Sequence, residues 1–340
     1  MNAISSTASG TGGSAGHGAY AGSTAPTTDT AITAGGRPWA RCRREADTPP
    51  RSKPKAKSAA PAGARVRGDL VHVLGVVRVA TAEQCRTLAT PDAHSSAYVR
   101  RALRALAADG LAASVPLGTA HERVWFLTGA GQRAAQAAGL APAKRRAVTA
   151  AMARSGILRH ALGVTATIAA FTAHRYGAVG SWSVETPHRH GGRVLITDAV
   201  LHVLPTPGVD APPVLLVELD RGTRPLGRLA EQIAAYAELA ADRERALARG
   251  GSRWTRPYPG LRRLPPVLIV SAGLTPAALA SRAERLAAAS LGWQRYGEDL
   301  VDVGVVDLAQ LAEHGPRAAI ITPLRDVGTR ISLTELPDAY

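Results

Sequence analysis

From about Gly68 the apolar positions recur every three to four residues. Leu70, Val73, Leu74 and Val77 form one stripe, which predicts a first helix. Thr81-Ala82-Glu83-Gln84 has the spacing of a capping box, so a short second helix is expected through Leu88. A turn at Thr90-Pro91-Asp92 precedes a third helix from Ser95 or Ser96, which Asp109-Gly110 ends. Val99, Leu103 and Leu106 make its apolar stripe, and Arg100, Arg101 and Arg104 occupy its other faces. The period then shortens: strands are expected at Leu111–Val115 and Arg123–Leu127, and Thr128-Gly129-Ala130-Gly131 opens a helix ending near Gly139.

Three helices and a hairpin within residues 67–141 predict a winged helix-turn-helix. In that fold the third helix lies in the DNA major groove and the hairpin touches the backbone. The candidate DNA readers are Tyr98, Arg100, Arg101 and Arg104, with His121 and Arg123 on the wing. A long helical pattern follows from Lys144 to Tyr176, in which His160 reads as a core or capping histidine.

Beyond it, strands alternate with helices. Strands are expected at Ser181–Thr186, Arg193–Leu204, Val214–Asp220, Pro266–Ser271, Val301–Val306 and near Ala318–Thr322. Helices are expected at Pro225–Ala248, Pro276–Ala289 and Leu308–His314. This predicts an α/β sheet with a parallel portion, and an α+β or α/β chain overall. The expected division is a disordered basic tail over 1–66, a winged helix over 67–141, a sheet domain over 142–325 and a C-terminal tail over 326–340.

Charge sharpens this picture. The chain of 340 residues carries a formal net charge of +15, which points to a polyanionic partner. Residues 1–67 hold 10 Lys or Arg against 3 acids, so about half of the excess lies there. From Arg123 to Val184 there is no Asp or Glu, while Arg133, Lys144, Arg145, Arg146, Arg154, Arg159 and Arg175 accumulate. An Arg- and Ala-rich composition explains many arginines but not the loss of every carboxylate. We read this stretch as facing double-stranded DNA, with Lys144, Arg145 and Arg146 among the contacts. Two cysteines, Cys42 and Cys85, suggest neither a disulfide framework nor a thiolate zinc site. With no secretory pattern and no long uncharged apolar run, a cytoplasmic protein without a membrane partner is expected.

The chemistry concentrates in residues 193–224. Asp198 interrupts one apolar strand, and Glu218-Leu219-Asp220 ends the next. Ionised groups in a core must be paired or bind a metal. By strand parity Val194, Ile196, Asp198 and Val200 share a face, as do Glu218 and Asp220, about 7 Å apart. If the strands form a hairpin, Asp198 faces Glu218, and the pair suits Mg²⁺ or Mn²⁺, with Glu185 as a further acid. Asp220 and Gln232 complete the candidate catalytic set. Equally, the acids could pair with Arg193, Arg221, Arg224 or Arg228 as a structural network. His188-Arg189-His190-Gly191-Gly192 reads as a polar turn. No phosphate-binding GxxxxGK[ST] loop is present, which argues against an ATPase.

An Asp on one strand, Glu-x-acid ending the next and then a helix resembles the core of the PD-(D/E)XK nucleases, a restriction-endonuclease-like fold. More closely, residues 68–270 resemble the replication-relaxation family of actinobacterial plasmids and mobile elements. The resemblance rests on Leu127-Thr128-Gly129-Ala130-Gly131, His160-Ala161-Leu162, Thr197-Asp198-Ala199 and Val217-Glu218-Leu219-Asp220-Arg221-Gly222-Thr223. This chain has Thr-Asp-Ala where the family usually has Pro-Asp-Ala. It also has Asp220 where the nucleases carry lysine; its lysines are Lys53, Lys55, Lys57 and Lys144, none in the strands and helices of the sheet. The resemblance implies DNA processing with other replication or transfer proteins. Two readings stay open: a Mg²⁺- or Mn²⁺-dependent nicking endonuclease, and a non-catalytic DNA-binding regulator with a degenerate nuclease-like domain.

Overall fold

The computed structural model describes residues 62–336 except 144, 153–156, 191, 204–211, 249–257, 259–260, 262 and 298–300. The tail expected over 1–66 and the Pro-rich 205–213 segment therefore lie almost wholly outside the described residues. The first helix, α1 (Ala62–Val77), starts earlier than the apolar stripe indicated. It is followed by β1 (Ala80–Thr81), α2 (Ala82–Ala89), α3 (Ala97–Ala108), β2 (Ala112–Leu117), β3 (Thr119–Leu127) and α4 (Gly129–Ala137). The three strands form an antiparallel sheet in the order β1-β3-β2. The capping box of α2 is present, Thr81 Oγ1 accepting from the Gln84 amide and Gln84 Oε1 from that of Thr81. Thr128 Oγ1 caps α4 at the Gly131 amide.

The larger part begins with α5 (Ile157–Ala173) and continues through β4 (Trp182–His190), β5 (Arg193–His202), β6 (Val214–Asp220) and α6 (Leu226–Ala248). β7 (Val267–Ser271), α7 (Pro276–Gly297), β8 (Val303–Asp307), α8 (Leu308–His314) and β9 (Thr322–Pro323) complete it. The six strands lie in sequence order. β6, β7 and β8 are parallel, and the pairs at both ends are antiparallel. The expected mixed α+β architecture with a parallel portion is thus found. β6 is buried along its whole length, because helices cover both of its faces. Leu215, Val217 and Leu219 pack with Ile168 and Phe171 of α5; Leu216 packs with Leu229, Ile233 and Tyr236 of α6.

One core cluster runs from Leu70 and Leu74 of α1 through Phe171 and Val217 to Leu311 of α8, so both sheets belong to one compact unit. Residues beyond 326 join it: Ile331 bridges Ile321, and Leu333 and Leu336 are buried. Cys85 is buried in the same cluster, and burial pushes its thiol up to about 12.

The continuous helix expected from Lys144 to Tyr176 is corrected: residues 145–149 are not helical, and α5 starts at Ile157. Tertiary bonding overrides propensity here. Arg145 donates to the main-chain oxygens of Val76 at 2.7 Å and Val184 at 2.8 Å, binding carbonyls at the end of α1 and on β4. Arg78, the left-handed residue that ends α1 (φ 73°), is paired with Glu185, itself left-handed at φ 51°. This joint fastens the helical part to the edge of the large sheet.

Candidate functional site

Two charged regions stand out. The first is a groove of about 610 Å³ between α2, α3 and the β2–β3 hairpin, lined by Arg100, Arg104 and Arg123 with Ser114, Glu122 and Trp125. All three arginines are exposed, as are Tyr98 and Arg101 on α3. Their partners are local: Arg100 donates to Ser96 Oγ at 2.7 Å, Arg104 to the Arg100 carbonyl at 3.3 Å, and Arg123 to Ser114 Oγ at 2.8 Å. Glu83 also lines the groove, but Arg86 holds it at 2.6 Å. Five sequence-predicted contacts thus lie on α3 and β3, three of them on one groove. The side chain of His121 and all of Lys144 lie outside the described residues. Arg146 is exposed. Arg145 is a correction: its guanidinium is spent on main-chain carbonyls and turns inward. Burial, then the neighbouring Arg78, lowers its pKa from the usual arginine value.

The second region is the carboxylate centre. α5 sits so close to β6 that a Cβ on Gly163 would lie 2.4 Å from Leu219 Cδ2. That approach brings His160 Nε2 within 2.9 Å of Asp198 Oδ1, while Asp198 Oδ2 accepts from the Leu219 amide at 2.8 Å. The β5–β6 ladder stops at Ala199↔Val217, so the carboxylate takes an amide just beyond the last pair. Glu218, 1% exposed, accepts at Oε1 from the Tyr236 hydroxyl. Asp220, 2% exposed, accepts from Arg282 Nε at 2.6 Å and from the Gly222 amide at 3.1 Å. Gly222 is required in that turn, because its φ is +70° and a Cβ would meet Leu274.

Strand parity is corrected at Asp198. Val194 and Ile196 are exposed, Val200 packs in the α6 cluster, and Asp198 reaches across to α5. Thr197, with the parity of Ala199, instead contacts Tyr236 of α6. The alternation slips between Asp198 and Ala199, where the β4–β5 ladder omits the Glu185/Asp198 pair and Glu185 is left-handed. Glu185, expected as a fourth acid, belongs to the Arg78 joint.

Three of the buried polar residues, His188, Thr197 and Glu218, are linked with two tyrosines. Thr197 Oγ1 lies 2.6 Å from Tyr236 Oη and 3.2 Å from His188 Nδ1, and His188 Nε2 lies 2.7 Å from Tyr258 Oη. Of the polar turn expected over 188–192, residues 188–190 are strand instead, with His188 buried and partnered. Burial and the adjacent Asp198 push the Glu218 carboxyl well above its ordinary range. Burial pushes the Asp198 carboxyl up too, but the His160 bond and charge and the Leu219 amide outweigh it, so Asp198 is held low. Among the described residues Glu218 Oε2, buried, has no hydrogen-bond donor to it as a carboxylate. Protonated, it becomes a donor that the adjoining Asp198 accepts. Tyr236 donates its one proton to Glu218, so it accepts from Thr197, and Thr197 in turn accepts from His188 Nδ1. One negative charge then rests on Asp198.

A resident Mg²⁺ or Mn²⁺ needs several open oxygens and keeps much of its water. Here Asp198 and Asp220 are already bonded at both oxygens, and Glu218 is closed off beneath Tyr236. Among the described residues no three His, Cys, Asp or Glu side chains are grouped to hold a metal ion. The donors as folded do not fit that ion. Gln232, the remaining catalytic candidate, is half-buried and accepts from Arg224.

The family model described as replication-relaxation matches residues 71–252, more than half of the chain. The chain belongs to the replication-relaxation family. The matched span includes the arginine groove and Asp198, Glu218 and Asp220, but ends before Tyr258 and Arg282. No curated protein and no solved structure matches. Among the described residues of this replication-relaxation protein, no helix is long and apolar enough to cross a membrane. Sequence reasoning missed Tyr236, Tyr258 and Arg282 as partners of the centre. His160, by contrast, opens His160-Ala161-Leu162, one of the motifs of the resemblance, and that motif is the signal for its pairing with Asp198.

Proposed function

We propose that this replication-relaxation protein is a double-stranded-DNA-binding protein of plasmid or mobile-element replication or transfer. In this reading residues 67–141 are a winged helix, with α3 in the major groove and the β2–β3 hairpin on the backbone. The observation that carries it is the convergence of exposed Arg100, Arg104 and Arg123 on one groove. In this reading Tyr98, exposed at the start of α3, reaches base edges, as the N-terminal residues of a recognition helix do. The sheet part, residues 142–325, is proposed as a nuclease-like fold whose acids have become a polar core. The closure of each acid by its own partner supports that half.

The test is binding of the full chain to duplex DNA across a salt series. Arg100→Ala with Arg104→Ala should weaken binding about tenfold or more and flatten the salt dependence. Asp198→Ala should leave DNA affinity unchanged. Relaxation of supercoiled plasmid that needs Mg²⁺ or Mn²⁺ and disappears in Asp198→Ala would overturn the non-catalytic half. Unchanged affinity in the arginine variant would overturn the winged-helix half.

A further inference from the structure

The large sheet carries an arm that the proposed winged helix does not use. The β4–β5 ladder runs on to His190↔Arg193, whereas β5 leaves β6 at Ala199↔Val217. The far halves of β4 and β5 are therefore a two-stranded ribbon extending past the rest of the sheet. A bare ribbon of two strands is marginal in water. This one is held by its inner face: His188 and Thr197 are buried and bonded to Tyr258 and Tyr236, and Leu195 packs on the α6 cluster.

Its outer face has the opposite character. Pro187, Arg189, Val194 and Ile196 are all exposed, Val194 to 46% and Ile196 to 55%. Pro187 pairs with Ile196 and Arg189 with Val194, so the four side chains form one contiguous patch. No Asp or Glu occurs from Thr186 to Thr197. Arg193, exposed, has the parity of Leu195 and lies at the ribbon's margin toward α6. Arg193 meets Glu238 at 3.2 Å, but both are more than half exposed, so water screens that pair and a phosphate can replace it.

We propose that this ribbon is a second DNA-contacting element, with its outer face laid into a groove of the duplex. The proposal rests on the reading that DNA is the partner. Exposed Arg189 on the outer face and exposed Arg193 at the margin favour a polyanion over a protein surface. Two-stranded ribbons fit nucleic-acid grooves, where arginines meet phosphates and apolar side chains meet base edges or steps. Pro187 removes a backbone donor from β4, the edge strand of the sheet, and so weakens pairing of another strand there. The ribbon thus adds affinity and orientation to contacts made by α3.

The experiment compares two double variants of the full chain, Arg189→Ala with Arg193→Ala and Val194→Ser with Ile196→Ser. Binding is read by anisotropy of a mixed-sequence duplex about three helical turns long across a salt series. The arginine pair should lose about two from the slope of log K against log salt and bind about tenfold more weakly. The apolar pair should bind about threefold to tenfold more weakly at an unchanged slope. Thermal melts verify folding, since every altered side chain is exposed. Wild-type affinity and slope in both variants, while the Arg100 and Arg104 variant fails to bind, would overturn the ribbon and leave the winged helix standing. Dissociation of an oligomer without any change in DNA affinity would assign the patch to protein and overturn it too. If neither ribbon nor α3 variants alter binding, the underlying DNA reading falls with it.

Discussion

The arginine groove and the carboxylate centre are both dense in charge, but they handle it in opposite ways. Around the groove, Arg100, Arg104 and Arg123 stay in water and bond to hydroxyls or main-chain carbonyls close by. In the centre, Asp220 is closed by Arg282, Glu218 by Tyr236, and Asp198 by His160 and an amide. Buried charge is tolerated when a specific partner offsets its desolvation, whereas exposed charge remains available to an outside ion. The difference lies in who answers each charge, and that distinguishes a surface for a polyanion from a polar core.

Removing a partner from the centre should have the largest effect. Arg282→Ala would leave Asp220 at 2% exposure with one amide for company. Loss of one member of a buried pair costs about 3–5 kcal/mol, a large part of a domain's stability. Urea unfolding of the variant checks this. A loss below about 1 kcal/mol would mean that Asp220 reaches water easily, and the contrast with the groove would collapse.

Glu218→Gln should act less strongly and with a defined sign in pH. The folded-state pKa of Glu218 is raised, so its contribution is present below the unfolded value and is lost as pH rises through the folded one. Asp198 is held low and does the reverse, contributing above its unfolded value and losing it as pH falls through the folded one. A glutamine amide can still accept from Tyr236 and donate to Asp198, without any proton to lose. The variant should therefore match wild type at acidic pH and exceed it in stability from neutral pH upward. Glu218→Ala, which strands the Tyr236 hydroxyl, should cost about 1–3 kcal/mol. A pH–stability profile of Glu218→Gln parallel to wild type would show that Glu218 does not carry the shared proton.

Local signals carried much of the fold and little of the centre's wiring. β6 and α8 span the residues expected of them, Val214–Asp220 and Leu308–His314. The capping box at Thr81 was equally legible, because its bonds close within four residues. By contrast, Arg282 meets Asp220 across 62 positions and Tyr258 meets His188 across 70. No local period encodes such pairings; they follow from which helix covers which face. Strand parity failed at Asp198 for a related reason, since the backbone irregularity at Glu185 is held by Arg78 from another element. Arg145 was misplaced because its carbonyl partners on α1 and β4 are set by tertiary packing.

The smallest expected effect sharpens the comparison from the other side. Among the described residues Arg104 donates only to the Arg100 carbonyl, at 3.3 Å, and it stands exposed in the groove. Arg104→Ala should change folding stability by less than about 0.5 kcal/mol, as expected of a surface residue away from any cap or buried pair. Urea unfolding at low and high salt checks it, with DNA binding of the same sample measured alongside. A change above about 1 kcal/mol would place Arg104 in the architecture of α3, and the groove would then resemble the centre in spending its charge internally. Unaltered stability with weakened DNA binding is the signature of a charge that the fold leaves free for its partner.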